Sequence, residues 1–224
     1  TNVTIGKSVT TIREDAFDGC DSLTKVYIAD LSAWCKIDFI GEHANPLYHA
    51  NSLYLNNELI TDLVIPSDIT EIKSDAFHFC NSLTSITIGD SVSIIGKGAF
   101  FGCENLTNVI IGKGVNAIGK RAFGGCSGAL TINCNIPSAS DNSMCSAFFD
   151  SKFSSVIFGD CVTTIGRYAF AGSQSLTSIT IPPSITSIED GAFSYCIGVT
   201  DIYIEDLSAW CRIDFRDTPI SDMS

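Results

Sequence analysis

The sequence predicts an α/β-type repeat solenoid, in which copies of one short unit stack along an axis and share a continuous core. Two observations predict it: a strand-start position recurs at almost constant spacing, and an Ala-Phe pair follows most of these positions by sixteen residues. A period of roughly 20 to 50 residues is the signature of such repeat architectures. The strand starts lie 23, 23, 23, 24, 23 and 23 residues apart, at Ile60, Leu83, Leu106, Ala129, Phe153, Leu176 and Val199.

The copy that begins at Leu83 shows how each unit is built. Its pattern L-T-x-I-x-I alternates apolar and small polar residues, which predicts a half-buried strand, and Gly89-Asp90 predicts a turn after it. A second short extended piece, V-x-x-I-G, and a helical turn, A-F-x-x-C, complete the unit. One unit cannot bury its apolar face alone, so stacked copies must pack against each other. About nine coils, spaced by about 4.8 Å, would give an array on the order of 40 Å long.

One coil is clearly enlarged. The distance from Leu23 to Ile60 is 37 residues, so the coil at residues 23–59 carries 14 more than the usual 23. Its segment YIADLSAWCKIDF, which begins at Tyr27, returns as YIEDLSAWCRIDF at Tyr203. A second enlarged coil is therefore expected to begin near the end of the sequence.

The domain organisation follows from these repeats. We expect a single solenoid over residues 1–224, with residues 199–224 as the start of the second enlarged coil. Both ends are expected to be truncated, because neither carries the polar capping unit that solenoids usually need. The copy that starts at Ala129 is irregular, since its pair Ala147-Phe148 comes two residues late.

The repeat pattern resembles a known family. The unit L-x-x-I-x-I-P/G-x-x-V-x-x-I-G-x-x-A-F-x-x-C is similar to the BspA-type leucine-rich repeat, and the resemblance covers essentially the whole chain. It implies a right-handed leucine-rich repeat solenoid with a parallel β-sheet on one face, and otherwise short strands, turns and short helical turns. It also implies a bacterial cell-surface or secreted protein that adheres to host matrix proteins and cells. It identifies no ligand, because ligand choice in such arrays lies in variable surface positions.

Composition excludes some partners. The chain has 13 Lys and Arg residues against 25 Asp and Glu, a net charge of −12, which argues against nucleic acid and against anionic membrane surfaces. No apolar run approaches the roughly 18–20 residues that span a bilayer, so no membrane insertion is expected. The resemblance places the protein outside the cell or on its surface, although no signal peptide is visible. A monomer is expected, with end-to-end association through uncapped ends as the alternative.

Half of the ten cysteines follow the repeat register. Five occupy the slot three residues after the Phe of the Ala-Phe pair, and Ser173 fills the same slot in another copy. A slot that accepts Cys or Ser between apolar neighbours predicts free, inward-facing thiols. No C-x-x-C pair occurs, so a zinc site is not expected. The state of Cys134, Cys145 and Cys161 stays open. The slot cysteines are Cys20, Cys80, Cys103, Cys126 and Cys196.

No catalytic residue, metal site or cofactor is expected, and the chain is not predicted to be an enzyme. The spacing G-x-x-x-x-G-K at residues 114–120 matches a phosphate-binding loop, but Arg121 stands where Ser or Thr should hold magnesium, and the second glycine belongs to the repeat. His43 and His49 could ligate a metal with Glu42, but their spacing matches no ligand motif. His78 is expected to face solvent. No nucleophile with a base and an orienting group is apparent.

Binding is expected at outward strand positions or in the enlarged coil. The outward positions form a nearly uncharged field of Thr and Ser, either because Thr suits exposed strands or because the face is adhesive. In the adhesive hypothesis Tyr27, Ile110, Ile157 and Tyr203 act as anchors. Further candidates on the strands are Lys25, Thr87, Asn108 and Asp201, and those in the enlarged coil are His43, Tyr48, His49 and Tyr54.

The enlarged coil leaves two interpretations open. Trp34 and Trp210 occupy equivalent places and are predicted to be core residues that tie this coil to its neighbours. The remainder is either a packed spacer or a ligand contact, because insertions on solenoids often form binding features. The leading function is a non-catalytic module that binds a protein or glycan on a host or neighbouring cell. The alternative is a structural stalk or an intracellular protein-interaction scaffold.

Overall fold

The computed structural model describes residues 1–41, 43–137 and 146–215. In this part of the chain the protein is a solenoid of about nine stacked turns with little helix, as the repeat predicts. Strands of consecutive turns pair in parallel, and the described residues contain one antiparallel pair.

The strands are short, and three of the connections contain a single turn or so of helix. The helices are α1 (Leu31–Cys35), α2 (Leu47–Ala50) and α3 (Leu207–Trp210). The strands are β1 (Asn2–Ile5), β2 (Thr11–Arg13), β3 (Lys25–Ile28), β4 (Asp38–Ile40), β5 (Leu53–Leu55), β6 (Glu58–Leu59), β7 (Asp62–Val64), β8 (Glu71–Ile72), β9 (Ser85–Ile88), β10 (Ile94–Ile95), β11 (Asn108–Ile111), β12 (Ala117–Ile118), β13 (Ser127–Ile132), β14 (Lys152–Phe158), β15 (Thr164–Ile165), β16 (Ser178–Ile181), β17 (Ser187–Ile188), β18 (Asp201–Ile204) and β19 (Asp214–Phe215).

Two kinds of sheet run along the solenoid. The main sheet contains seven parallel strands in the order β7-β9-β11-β13-β14-β16-β18, and a four-stranded sheet, β1-β3-β5-β6, is formed by the same segment of earlier coils. The second extended piece of each unit forms three smaller sheets, β2-β4, β8-β10-β12 and β15-β17-β19. Inward residues of the main sheet, such as Ile86 and Val109, pair across neighbouring strands and are fully buried.

From Phe77 to Phe193, the Phe rings of successive Ala-Phe pairs stack on one another. Six of these rings form a column with nearly parallel planes, and their centroids lie 4.9–5.4 Å apart. All six are almost completely buried, so the column is the aromatic centre of the core. The rings are those of Phe77, Phe100, Phe123, Phe148, Phe170 and Phe193.

The cysteine slot is explained by a hydrogen bond between coils. Cys103 Sγ donates to the backbone oxygen of Phe77 at 3.1 Å, and Cys126 Sγ donates to that of Phe100 at 3.0 Å. Ser173 Oγ makes the same bond to Phe148 at 3.3 Å, so the slot needs a small donor rather than a thiol. The predicted inward, free thiols are confirmed at Cys80, Cys103, Cys126 and Cys196, whereas Cys20 is only half-buried.

Threonine also has a structural role that strand propensity does not explain. The Thr after the first Leu of the unit donates its hydroxyl to the backbone oxygen of the equivalent residue one coil earlier. Thr107 Oγ1 donates to the backbone oxygen of Thr84 at 3.1 Å, and Thr84 Oγ1 donates to that of Thr61 at 3.2 Å. Thr200 and Thr177 repeat the contact at 3.4 Å. These hydroxyls are therefore engaged within the solenoid.

The irregular copy starts two residues earlier than predicted. Leu130 pairs with Val109, so Ser127 and not Ala129 is equivalent to Leu106, and a register irregularity lies between Gly128 and Ala129. The assignment of Ala129 as a strand start was wrong for this reason. The Phe column continues through this copy, since the rings of Phe123 and Phe148 stack at a centroid distance of 5.4 Å.

The extra residues of the enlarged coil form a hairpin. The first part of the enlarged coil completes one turn and returns to the four-stranded sheet as β5, where Leu53 pairs with Val26. The antiparallel strand β6 then folds back, with Tyr54 opposite Leu59, before β7 begins the main sheet. The enlarged coil is thus one turn plus a β-hairpin on the strand face.

Two side chains of the enlarged coil replace a backbone hydrogen bond that regular coils make to the next coil. In regular coils a Phe backbone N–H bonds to the next Ala oxygen, as from Phe77 to Ala99 at 2.7 Å. The oxygen of Ala76 instead accepts from Trp34 Nε1 at 3.0 Å and from Asn45 Nδ2 at 3.2 Å. Trp34 is therefore a core residue, as predicted.

The prediction for Trp210 was only partly right. Its indole packs on Phe215, with ring centroids 5.1 Å apart, and remains half-buried in the last described coil. No later coil covers it within the described residues, so it lacks the contacts that bury Trp34.

The Phe column provides a direct test of the inward and outward assignments. Replacing Phe100 by Ala removes a fully buried ring between two others and should lower the free energy of unfolding by roughly 3–5 kcal/mol. Thr87→Ala, on the outward face of β9, should cost well under about 1 kcal/mol. Urea unfolding measures both, and equal costs would contradict the assignment.

Candidate functional site

The outward face of the main sheet carries an uncharged stripe. One outward position on each of its seven strands is in register with the next, and the stripe alternates larger apolar residues with Thr. With strands about 4.8 Å apart it is roughly 29 Å long. All seven side chains are at least partly exposed, and we call them the outer stripe: Val64, Thr87, Ile110, Thr131, Ile157, Thr180 and Tyr203.

A second, polar row flanks the outer stripe. It carries charge only at its ends, Asp62 and Asp201, while its interior contains Ser, Ala and the predicted candidate Asn108. Both end carboxylates accept hydrogen bonds, from Ser85 Oγ at 2.6 Å and from Thr200 Oγ1 at 2.9 Å. The structure therefore brings Thr87, Asn108, Ile110, Ile157, Asp201 and Tyr203 together on one face.

The four-stranded sheet carries an aromatic cluster at the same outward position. Tyr27 on β3 pairs with Tyr54 on β5, and their ring centroids lie 4.9 Å apart. The ammonium of Lys25 lies 5.3 Å from the centre of the Tyr54 ring, a cation–π contact. Tyr54 was grouped with the other enlarged-coil residues, but the hairpin places it on the strand face.

The other enlarged-coil candidates lie in a separate aromatic cluster. His43 and Tyr48 are 4.8 Å apart between ring centroids, and Tyr48 and His49 are 5.3 Å apart. Tyr48 also packs on Phe79 of the next coil at 5.4 Å. His43 Nδ1 lies 3.4 Å from Asp18 Oδ1, and Glu42 lies outside the described residues.

This cluster forms one wall of a cleft of about 540 Å³ between the enlarged coil and the helical turns of the next three coils. The volume is within the range of small-ligand sites. Phe39, His43, Tyr48, His78 and Phe101 supply its aromatic lining. The cleft thus joins residues from four consecutive coils.

His78 does not face solvent as predicted. Its ring stacks on Phe79 at a centroid distance of 4.4 Å and packs edge-on against Phe101 at 5.1 Å, and its side chain is about a quarter exposed. Burial, with a smaller contribution from Lys97, lowers the pKa of His78 to about 4. Its Nε2 has no hydrogen-bond partner among the described residues.

The carboxylate of Asp75 lies against Gly98 in the cleft. A Cβ at position 98 would approach Asp75 Oδ1 to 2.3 Å, which is a steric clash. Gly98 also has a φ of +60°, which disfavours any residue with a side chain. Burial raises the pKa of Asp75, while Lys97 lowers it. The contact with His78 Nδ1, at 3.7 Å, is too long for a hydrogen bond.

Three cationic side chains that were not predicted as site residues line the cleft. Lys97 and Lys120 occupy equivalent positions of consecutive coils, and Arg121 follows with its guanidinium 5.0 Å from the centre of the Phe149 ring. Within the described chain none of the three forms an ion pair, unlike Arg167 with Asp190. The sequence feature that could have identified them is the 23-residue interval between Lys97 and Lys120, which places the two lysines in neighbouring coils. Lys120 and Arg121 were instead dismissed together with the apparent phosphate-binding spacing at residues 114–120.

The described residues contain no group of three or more His, Cys, Asp or Glu side chains that could hold a metal ion. Nor does this part of the chain include a helix that is long and apolar enough to cross a membrane. Burial raises the pKa of the Cys35, Cys80 and Cys196 thiols to about 12, so they are protonated at neutral pH and are poor nucleophiles.

Parallel strands stacked coil upon coil, with turns and short helices between them, define a leucine-rich repeat solenoid. A family model described as BspA type leucine rich repeat region matches the chain in six copies, over residues 1–43, 50–145 and 142–211. The chain therefore belongs to the BspA-type leucine-rich repeat family. Repeats of this kind generally mediate protein interactions and are typically non-catalytic.

Several solved structures are similar to the chain at low identity, whereas no curated protein matches it. A leucine-rich repeat protein from Eubacterium ventriosum is 21% identical, with a TM-score of 0.47 over 90% of this chain and 48% of that one, so this chain spans about half its length. One from T. pallidum is 20% identical, with a TM-score of 0.37 over 96% and 72%. A leucine rich cell surface protein from Faecalibacterium prausnitzii is 20% identical, with a TM-score of 0.29 over 96% and 82%.

The burial of His78 predicts acid sensitivity. Its pKa is lowered from an ordinary 6.5 to about 4, so the unfolded state takes up the proton first as pH falls. The free energy of unfolding should therefore keep the full contribution of His78 above pH 6.5 and lose it as the pH falls towards 4. The loss should be roughly 3 kcal/mol at most. Urea unfolding across this range measures the loss.

A His78→Phe variant is the matched control, because it keeps an aromatic ring beside Phe79 but cannot titrate. Protonation of Asp75 acts in the opposite direction, since its pKa is raised, and it cancels in the comparison of the two proteins. Identical pH profiles for the wild type and the variant would refute the burial of a neutral His78.

Proposed function

We propose that the chain is a non-catalytic binding module of a bacterial cell-surface or secreted protein, and that it adheres to a protein of a host or neighbouring cell through the outer stripe. The observation that carries this proposal is the run of seven in-register, uncharged and exposed side chains across the main sheet. Membership of the BspA-type family supports the surface location.

The exposure of its apolar members supports docking at the outer stripe. Val64 is 65% exposed, Ile157 51% and Tyr203 57%. The inward neighbours of Val64 and Ile157 are buried, whereas Ile202 and Ile204, beside Tyr203 on the edge strand β18, are each 38% exposed. Apolar side chains that recur on every second strand of one face are more typical of an interaction site than exposed residues scattered singly. Thr131 and the other Thr residues between them keep the surface flat and weakly polar.

The Tyr27–Tyr54 pair extends this surface towards the first coils. Tyr residues are frequent energetic anchors in interfaces because they offer a large, rigid area with a polar end. Lys25 adds a cationic edge over Tyr54. An uncharged stripe with one basic edge predicts binding that depends only weakly on salt concentration.

The test is saturable binding of the purified chain to immobilised host matrix proteins. Ile157→Asp places a charge in the middle of the outer stripe and should weaken binding at least about tenfold, since a buried unpaired charge is costly. Ile94→Asp is the matched control, because Ile94 is 42% exposed but lies on β10 in one of the smaller sheets. Surface plasmon resonance measures both dissociation constants.

Equal weakening by the two substitutions would contradict the outer stripe as the docking surface. Loss of binding in a Tyr27→Ala variant would extend the contact to the aromatic cluster, whereas loss in Tyr203→Ala would support the outer stripe. A chain that binds no protein of the panel would instead support the role of a spacer that displays another domain.

A further inference from the structure

The cleft beside the enlarged coil concentrates positive charge in an acidic protein. Lys97, Lys120 and Arg121 line it, against the single described carboxylate of Asp75, although the whole chain has a net charge of −12. The stacking of the coils holds them together, because Gly98 N–H donates to the oxygen of Lys120 at 3.0 Å. Such a local excess of cations favours an anionic ligand.

The cations differ in how they can bind an anion. Lys97 and Lys120 are exposed ammonium groups, which act as mobile point charges. The Arg121 guanidinium is held against the Phe149 ring and offers a planar, forked donor suited to a carboxylate or sulfate. A small anionic group with several oxygens can therefore contact all three.

Two further residues that line the cleft offer different chemistry. The carboxylate of Asp75 lies against Gly98, beside Lys97, and has one long contact to His78, so its oxygens can accept hydrogen bonds from hydroxyl groups. The Tyr48 ring is 43% exposed and lies edge-on to His43 and Phe79, which leaves part of its surface for a ligand. The negative face of an aromatic ring attracts C–H hydrogens of a sugar ring.

From this arrangement we propose that the cleft binds an anionic saccharide, a sugar that carries a carboxylate or sulfate group. The anionic group contacts Lys97, Lys120 and Arg121, while ring hydroxyls donate to Asp75 and the sugar face packs on Tyr48. The cleft volume of about 540 Å³ suits one or two sugar units. An acidic peptide would use the cations but would gain less from Asp75, since its carboxylates would be repelled by that group, whereas sugar hydroxyls can donate to it.

The site is independent of the outer stripe. It lies among the helical turns rather than on the strands, and it shares no residue with the outer stripe. A chain that binds no matrix protein could still bind the sugar, and the reverse also holds.

The test is a titration of the ¹⁵N-labelled chain with glucuronic acid, N-acetylglucosamine 6-sulfate and neutral glucose, followed by NMR. The two acidic sugars separate carboxylate from sulfate recognition. We expect saturable shifts around the cleft with at least one acidic sugar, and much weaker binding of glucose. A Lys97→Gln/Lys120→Gln variant should raise the dissociation constant at least about tenfold. The matched control, Lys7→Gln/Lys113→Gln, removes the same charge elsewhere and should leave it unchanged.

Asp75→Asn separates sugar recognition from anion binding. Asn tolerates the positive φ of +58° at this position, so the turn should be kept. The variant should bind the acidic sugar more weakly but inorganic sulfate as well as the wild type does. Three results would overturn the proposal: no saturable binding of either acidic sugar, sulfate binding as tight as that of the sulfated sugar, or tighter binding of an oligoglutamate peptide than of both sugars.

Discussion

Parallel hydrogen bonding between consecutive coils is the constraint on which the rest of the structure depends. Over most of the chain it places residues 23 positions apart one above the other, as in the pairing of Ile86 with Val109. Phenylalanines then stack ring on ring, and hydroxyl and thiol groups at equivalent positions reach the backbone of the previous coil. The same constraint aligns outward residues into the outer stripe, so fold and binding surface have a single physical cause.

The enlarged coil shows what happens where this constraint is interrupted. Ala44 occupies the place of a column Phe, because Phe17 N–H bonds to His43 as Phe77 N–H bonds to Ala99. The ring of Trp34 and the amide of Asn45 then supply the link to the next coil. The hairpin carries Tyr54 to the strand face, whereas Tyr48 stays among the helical turns. A cleft therefore opens where a regular coil would have packed closely.

Periodicity predicted the fold class, the inward residues and the free thiols, because these depend only on position within the repeat. It also identified the members of the outer stripe that were chosen as candidates, such as Ile157 and Tyr203. The cleft could not be predicted, since it arises where side chains from four coils converge around an insertion of irregular path. His78 was misplaced because its burial comes from Phe79 and Phe101, and no repeat position reveals such contacts. Ala129 was misplaced because β13 pairs with β11 at an offset of 21 residues, as in the pairing of Val109 with Leu130, and not at the usual 23. The late Ala147-Phe148 pair marked the copy as irregular but did not show where its strand begins.

Labelling of native thiols by iodoacetamide, followed site by site with mass spectrometry, tests the coil register most directly. Burial raises the pKa of the Cys80 and Cys196 thiols to about 12, whereas Cys161 and Cys211 are exposed. The account predicts rapid labelling of the two exposed thiols and protection of the four buried slot thiols, Cys80, Cys103, Cys126 and Cys196, until the chain is unfolded. Native labelling of Cys80, Cys103 and Cys126 at the rate of Cys161, or disulfide bonds among them, would contradict it.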